Sequence, residues 1–226
     1  ELAVPRPAFS VVDRPAGMTA VGRARLGCRF AAAFHALAHR ADIEAGDWLA
    51  VHGCGGIGLS AVNIGSALGA SVVAVDLDGD ALDLAEQVGA DARVDAAAVD
   101  VPGAVLDITD GGADVSVDAL GIAETCHNSL ASLGAQGQHV QVGMTTDEEA
   151  GEIALPVDAM VDTELEFVGV KGMPPHRYDE LFEMIATDRL TPADLVTNRV
   201  GLEDISGRLR SMDDYDTLGL EVATSF

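Results

Sequence analysis

Lysine is almost absent from the chain: Lys171 is the only one among 13 basic residues, against 37 aspartates and glutamates in 226 residues. The formal net charge is −24 at pH 7, and the acidic residues are spread along the chain rather than gathered in a tail. This composition argues against a nucleic-acid partner, since phosphate backbones are bound by basic surfaces. It favours a halophilic protein, because high salt screens self-repulsion; an ordinary acidic enzyme is the alternative.

Cysteine and long apolar runs are scarce as well. Cys28, Cys54 and Cys126 are an odd number at unrelated spacings, so no disulfide framework is predicted. No apolar stretch reaches the roughly 18 residues of a membrane span. The first residues also lack the charged-then-apolar order of a signal peptide. We therefore expect a cytoplasmic protein that does not contact a membrane, and 226 residues are enough to bury a full core.

Glycine, in contrast, is abundant and clustered. Gly53, Gly55 and Gly58 follow an apolar run with the spacing G-x-G-x-x-G. At a strand-to-helix turn, the first glycine allows a tight turn, the second lets a pyrophosphate approach the backbone, and the third lets helix and strand pack closely. The free N–H groups of the following helix favour phosphate. The predicted cofactor-binding residues of this turn are Gly53, Gly55, Gly56, Ile57 and Gly58.

The sequence around the turn is typical of a dinucleotide-binding unit. Residues 48–52 predict a buried strand, residues 57–68 predict a helix ended by Gly69, and residues 71–75 predict a second strand. A glycine-rich turn alone is weak evidence, and methyltransferases also use such turns. A structural βαβ unit without a dinucleotide is therefore the alternative.

Asp76 follows the second strand, where a carboxylate can accept hydrogen bonds from an adenosine ribose. Asp78 and Asp80 add negative charge, and no Arg or Lys lies between Gly69 and Arg93. A 2′-phosphate would be repelled there. The sequence therefore predicts NAD rather than NADP.

Strands and helices continue to alternate after Asp76, which predicts an α/β fold, a Rossmann doubly wound parallel sheet. Ligands of such sheets bind at the carboxyl ends of the strands, so Gly121, Val142, Gly143 and Met144 are predicted to lie near a nicotinamide; alternatively, the two glycines only make turns. The predicted helices are 81–88, 102–109 and 124–133, and the predicted strands are 92–95, 115–120, 139–142 and 166–170.

An alanine-rich helix is predicted at residues 27–41, with Cys28 in its first turn beside Arg29. The helix dipole and the neighbouring charge favour the thiolate, which binds metals; a small buried hydrophobe is the alternative. His35 lies about 10 Å further along the axis, too far to share a zinc with Cys28. We predict that His35 and His39 lie on the helix surface. The other histidines are predicted to be structural or solvated: His52, His127, His139 and His176.

The sequence resembles the zinc-dependent alcohol dehydrogenases of the medium-chain dehydrogenase/reductase family. The resemblance is carried by Leu26-Gly-Cys-Arg-Phe-Ala-Ala-Ala-Phe-His-Ala-Leu37, Gly46-Asp-Trp-Leu-Ala-Val-His-Gly-Cys-Gly-Gly-Ile-Gly-Leu59, Val168-Gly-Val-Lys-Gly-Met-Pro174 and Met212-Asp-Asp-Tyr-Asp-Thr-Leu-Gly-Leu220. It implies that Cys28 is a ligand of the catalytic zinc, and it adds Val168 to the cofactor contacts. The hydroxyl residue often found four positions after that ligand is Ala32 here.

The resemblance also implies a domain division: a remnant of a GroES-like catalytic domain at 1–26, an NAD-binding Rossmann domain at 27–172, and a helix and strands at 173–226 that return to the catalytic domain. We expect a strand near Leu2 to pair with one near Val222. Most of the catalytic domain, including the other zinc ligands, is then expected to lie outside this chain.

The implied activity is zinc-assisted hydride transfer between NAD and a small alcohol, giving an aldehyde or ketone, in a homodimer or homotetramer. Two alternatives remain open. The chain alone could be a stand-alone NAD-binding module without activity, or it could belong to a zinc-free enzyme similar to quinone reductases. Preference for NADPH would favour the second, and Asp76 argues against it.

Overall fold

The computed structural model describes Arg6 and residues 11–13, 18–24, 26–213 and 217–225. These residues form a six-stranded sheet and a two-stranded sheet. The strands are β1 (Trp48–His52), β2 (Ser71–Asp76), β3 (Ala92–Asp95), β4 (Ala113–Asp118), β5 (Leu133–Gln141), β6 (Glu166–Gly169), β7 (Val196–Gly201) and β8 (Leu220–Ser225). The α-helices are α1 (Ala20–Ala24), α2 (Cys28–His35), α3 (Gly56–Leu68), α4 (Gly79–Val88), α5 (Val101–Thr109), α6 (Ala123–Ala131), α7 (Val157–Asp162), α8 (Tyr178–Ala186) and α9 (Ile205–Asp213).

The large sheet has the strand order β3-β2-β1-β4-β5-β6, and every neighbouring pair is parallel. The predicted fold class, a Rossmann doubly wound parallel sheet, is confirmed. The strand order reverses between β1 and β4. In register, His52 lies beside Val75 on one side and Asp118 on the other. The carboxyl ends of these three strands therefore meet where doubly wound sheets bind their ligands.

Alternate residues of the strands build a core on each face of the sheet, because successive side chains point to opposite faces. On one face, α2, α3 and α4 cover strand residues such as Leu49 and Val51. On the other face, α5 covers Ala50, Val73 and Val75. In the part of the chain that the structure describes, no helix is both long and apolar enough to cross a membrane.

The helix ends follow the local sequence. Gly69 ends α3 in the left-handed conformation, with a φ of 97°, which costs glycine little. The carboxylate of Asp78 caps α4 by accepting from the Asp80 N–H, and Asp100 caps α5 by accepting from the Gly103 N–H. These caps satisfy N–H groups that have no partner inside the helix.

Two strands of the large sheet differ from the predicted ones by two or more residues. The strand predicted at 115–120 is β4, which ends at Asp118, and the strand predicted at 139–142 is the last part of β5, which begins at Leu133. A register shift between Ala113 and Val115 accommodates the longer β5. Gly134, Ala135 and Gly137 hide the start of this strand in the sequence, since glycine and, less strongly, alanine are depleted in strands. The pattern also gave no prediction for α7 and α9, and it gave extended segments where α1 lies.

The C-terminal part of the chain forms its own small sheet. In it, Val222 of β8 lies opposite Arg199 of parallel β7. Its expected partner near Leu2 lies outside the described residues. Leu181 and Leu220 pack into the same core as α3 and α4. The division of the chain at 1–26, 27–172 and 173–226 stays a prediction.

Candidate functional site

The glycine-rich turn joins β1 to α3 at the carboxyl edge of the sheet. Gly53 has a φ of +89°, in the left-handed region. A Cβ at Gly58 would lie 1.7 Å from the carbonyl oxygen of Gly53, so this close packing requires glycine. Around Gly55, in contrast, no heavy atom lies within 4 Å of an added Cβ. The turn is therefore tightly packed at Gly53 and Gly58 and open to a ligand at Gly55.

The N-terminus of α3 is available to an anion. Gly55 is the N-cap residue, no side chain caps the helix, and its first turn contains no acidic residue. The N–H of Leu59 is bonded to the carbonyl of Gly55, whereas the N–H groups of Gly56, Ile57 and Gly58 have no partner inside a helix. These donors and the helix dipole favour a phosphate at this position.

Asp76 lies beside the turn, as its distance from Gly53 in the sequence predicts. Its Oδ2 accepts from the Cys54 N–H at 2.5 Å, and its Oδ1 accepts from the Asp78 N–H at 2.9 Å. The half-buried carboxylate is therefore held against the glycine turn by main-chain donors. Cys54 itself is buried, and burial together with the Asp76 charge raises the pKa of its thiol. Cys54 is accordingly a packing residue.

The carboxyl ends of β4 and β5 meet through two glycines. A Cβ at Gly121 would lie 2.3 Å from the carbonyl oxygen of Met144, and one at Gly143 would lie 2.4 Å from the Gly121 nitrogen. Gly121 also has a φ of +97°. Both glycines are thus needed for close backbone packing, so they do more than make turns, which was the alternative to contact with a nicotinamide. This packing places the predicted nicotinamide-binding backbone at the edge of the β1–β4 crevice, the gap between the carboxyl ends of these two strands, where the strand order reverses.

Asp118 organises this edge and was missed by the sequence analysis. Its side chain is 0% exposed. Oδ1 accepts from the N–H groups of Leu120 and Gly121 and from the Thr125 hydroxyl, and Oδ2 accepts from the Gln141 side-chain amide. Four donors thus replace water around a buried carboxylate. Only its position at the end of a buried strand could have drawn attention to it.

A buried chain of hydrogen bonds extends from this carboxylate under α6. Gln141 Oε1 lies 3.0 Å from His139 Nε2, and His139 Nδ1 lies 2.9 Å from Ser129 Oγ, which bonds Ser116 Oγ at 2.6 Å. Burial lowers the pKa of His139, against the opposing effects of Gln141 and Asp118. This network is a polar layer inside the fold, which agrees with the structural role predicted for His139.

His52 lies close to this layer at the end of β1, and its side chain is buried. Burial, and secondarily the neighbouring His139, lowers its pKa to about 3. Its Nε2 has no hydrogen-bond partner among the described residues. His52 therefore stays neutral at physiological pH and acts as part of the core.

The other residues predicted to contact the cofactor lie along the last two strands. Val142 is buried directly after β5, and Met144 is 76% exposed. Val168 is half-buried in the edge strand β6, opposite Val140. The structure therefore brings Gly121, Gly143 and Met144 together, while Val168 lies one strand further out.

Cys28 is the first residue of α2, and its side chain is exposed. The described residues contain no group of three or more His, Cys, Asp or Glu side chains that could hold a metal ion. A catalytic zinc needs three protein ligands, so the described part of the chain does not supply a zinc site. Tyr178 lies near Cys28: burial raises the pKa of this tyrosine, and the thiolate charge adds to the effect.

The prediction that His35 and His39 lie on the helix surface is wrong for His39. After His35 the helix continues as a π-helical turn at Ala36–Arg40, which carries His39 inward until only 5% of its side chain is exposed. There its Nε2 lies 2.5 Å from Glu180 Oε2, and its Nδ1 lies 3.1 Å from His35 Nδ1. This cluster joins α2 to α8.

The strand order and the glycine turn define the class of Rossmann-fold proteins that bind ligands at the β1–β4 crevice. A model of the family "Zinc-binding dehydrogenase" matches residues 56–187, more than half of the chain. The chain therefore belongs to this family. The predicted resemblance to zinc-dependent medium-chain alcohol dehydrogenases is confirmed.

Individual relatives carry dehydrogenase names. D-arabitol-phosphate dehydrogenase of Enterococcus avium is 29% identical over 173 residues, which are 75% of this chain and 48% of the relative. Sorbitol dehydrogenase of Halalkalibacterium halodurans is 29% identical over 197 residues, 86% of this chain and 54% of the relative. The crystal structure of the alcohol dehydrogenase of Aeropyrum pernix is 26% identical and superposes with a TM-score of 0.78 over 88% of this chain and 56% of that chain. The chain thus spans about half the length of the curated relatives it matches.

Proposed function

We propose that this chain is the coenzyme-binding part of an alcohol oxidoreductase that interconverts a small alcohol and its aldehyde or ketone with NAD. The main support for this proposal is the glycine turn, which is open at Gly55 and bordered by the Asp76 carboxylate. The names of the relatives, which include arabitol-phosphate and sorbitol dehydrogenases, support an alcohol or polyol as the substrate class.

When bound, NAD would supply the hydride acceptor. The N–H groups at the start of α3 would bind its pyrophosphate, since a helix N-terminus attracts anions. Asp76 would accept hydrogen bonds from the adenosine ribose. The backbone at Gly121 and Gly143, held by Asp118, would orient the nicotinamide at the crevice. These residues therefore bind and position the cofactor rather than perform proton transfer.

We further propose that Cys28 is one ligand of a zinc ion whose other ligands lie outside the described residues. Its exposure at the start of α2 supports this role, because an exposed thiol is accessible to such a metal. Cys28 alone cannot hold the ion, because a catalytic zinc needs three protein ligands. The chain alone is accordingly expected to bind NADH without turning over alcohol.

Titration with NADH and NADPH tests the cofactor proposal. The wild-type chain is expected to bind NADH at least tenfold more tightly than NADPH, because the Asp76 carboxylate repels a 2′-phosphate and hydrogen-bonds a free ribose. Asp76→Ala is expected to remove most of this preference, chiefly by weakening NADH. Cofactor fluorescence in high salt measures both constants, and zinc analysis of the same sample is expected to find well under one ion per chain.

The matched control is Asp83→Ala, which removes an exposed carboxylate on α4 that pairs with Arg93 rather than with the turn. It should leave both constants unchanged within about twofold. An unchanged ratio of NADH to NADPH affinity in the Asp76 variant would contradict the proposal that Asp76 binds the adenosine ribose. Failure of the folded wild-type chain to bind either dinucleotide would remove the proposed function itself.

We propose that the protein associates with a second copy of itself through the β6 edge. β6 is the outer strand of the large sheet, and Phe167 on it is 39% exposed. Val157 and Val161 lie one turn apart on α7 and are both exposed. An unpaired strand edge beside apolar side chains is a ready surface for association.

Val161→Glu, which places a charge within this surface, is expected to shift sedimentation from dimer or tetramer to monomer. Val99→Glu is the control, since Val99 is exposed and follows β3, the strand at the opposite edge of the sheet. A wild-type chain that sediments as a monomer at micromolar concentration would contradict the proposal.

A further inference from the structure

The side chain of Arg29 lies against the first residue of α3. A Cβ at Gly56 would be 2.6 Å from Arg29 Cδ and 2.9 Å from Arg29 Nη1. Arg29 belongs to α2, so a different helix brings this guanidinium to the phosphate-binding end of α3. Glycine at position 56 leaves the space that the arginine occupies.

The guanidinium has few partners at this position. Its Nη2 lies 3.3 Å from Met212 Sδ, a weak acceptor, although the group has five N–H donors. The nearby Glu221 feels the Arg29 charge, but its carboxylate is bonded by Arg208 at 2.7 Å through both oxygens. Among the described residues, no carboxylate lies within ion-pair distance of Arg29. Most of its hydrogen-bonding capacity therefore remains free.

The Arg29 charge and the positive end of α3 lie close together, and the nearby Glu221 carboxylate is already bonded by Arg208. The N-terminus of a helix carries about half a positive charge, so a neighbouring cation is repelled. The start of α3 contains no acidic residue that could compensate. A doubly charged diphosphate between Arg29 and the α3 N–H groups would convert this repulsion into attraction at both ends. Guanidinium binds such oxygens in a bidentate manner.

We infer that Arg29 is a cofactor-binding residue that holds the diphosphate of the dinucleotide. The inference rests on the proposed function, because it needs a dinucleotide in the crevice. It extends the phosphate site beyond the glycine turn to α2 and, through Met212, to α9. NADH and NADPH share this diphosphate. Arg29 therefore contributes to the affinity for both cofactors and does not discriminate between them.

Arg29→Met tests this role, because methionine keeps an apolar stem beside Gly56 and Leu220 but removes the charge. The variant is expected to bind both NADH and NADPH about tenfold more weakly than the wild type does. The ratio of the two dissociation constants should therefore stay unchanged. Arg29→Lys, which keeps the charge without the planar fork, is expected to bind with intermediate affinity. Cofactor fluorescence measures each constant, and circular dichroism verifies that each variant is folded.

The matched control is Arg40→Met, which removes an exposed arginine from the far end of the same helical segment and should bind both cofactors as the wild type does. A folded Arg29→Met variant with wild-type affinity for NADH would overturn the assignment of Arg29 and leave the proposed function intact. A changed ratio of NADH to NADPH affinity would also overturn it, because the residue would then act on the adenosine ribose or its 2′-phosphate and not on the diphosphate. A wild-type chain that binds neither cofactor would overturn both.

Discussion

Gly58→Ala is expected to lower the free energy of unfolding by about 3 kcal/mol and to abolish detectable NADH binding. The new Cβ would lie 1.7 Å from the Gly53 carbonyl oxygen and 2.8 Å from its carbon, both backbone atoms. No rotamer change can relieve this overlap, so α3 must move away from β1. That movement widens the turn and displaces the N–H groups that would bind the pyrophosphate. Urea denaturation and NADH titration measure the two effects.

Gly55→Ala separates stability from binding in the same turn. Its Cβ meets no heavy atom within 4 Å, and the φ of −74° is accessible to alanine. The free energy of unfolding is therefore expected to change by less than about 0.5 kcal/mol. NADH binding is expected to weaken at least tenfold, because the methyl group would occupy the open space through which a phosphate approaches the backbone. Gly79→Ala, also in open space but at the start of α4, should alter neither quantity appreciably.

Equal stability of the Gly58 and Gly55 variants would contradict the packing in the turn. Wild-type NADH affinity in Gly55→Ala would instead contradict the position assigned to the pyrophosphate. The pair of variants thus distinguishes an error in the geometry of the turn from an error in its proposed ligand.

The glycine turn could be predicted from sequence because its physical requirements act within six residues. The tight turn at Gly53 and the close contact at Gly58 depend only on local spacing. The strand alternation was equally readable, since buried parallel strands appear as continuous apolar runs. Asp76 was found because it lies at a fixed distance from the turn along the chain.

Contacts between distant elements could not be predicted in this way. The partners of Asp118 include Gln141 on the next strand, and no local pattern joins these two residues. Burial of His39 depends on the π-helical turn and on Glu180 of α8, which lies 141 residues away. Arg29 reaches Gly56 through the packing of two helices. In each case the role of the residue depends on side chains that are distant in the sequence and contact it only in the folded chain.

Removal of the Asp118 carboxylate is the second change with a large expected effect, a loss of folding stability. Asp118→Ala would leave the Leu120 and Gly121 N–H groups without their acceptor. The Thr125 hydroxyl and the Gln141 amide would keep only their second acceptors, the carbonyls of Ile122 and Gly143. A buried donor without a partner costs about 1–3 kcal/mol, and water entering the space can satisfy part of the set. We expect the free energy of unfolding to fall by about 3–5 kcal/mol, measured by urea denaturation.

The control for this substitution is Asp114→Ala on the same strand, where an exposed carboxylate accepts a single bond from the Trp48 N–H. That change should cost about 1 kcal/mol or less, since water can replace the lost acceptor. Asp118→Asn keeps the shape and the acceptor at Oδ1, but its amide would face the Gln141 amide, so an intermediate loss is expected. If Asp118→Ala were no more destabilising than Asp114→Ala, desolvation of the carboxylate would offset its four hydrogen bonds. The edge of the crevice would then be held by the Gly121–Gly143 packing alone.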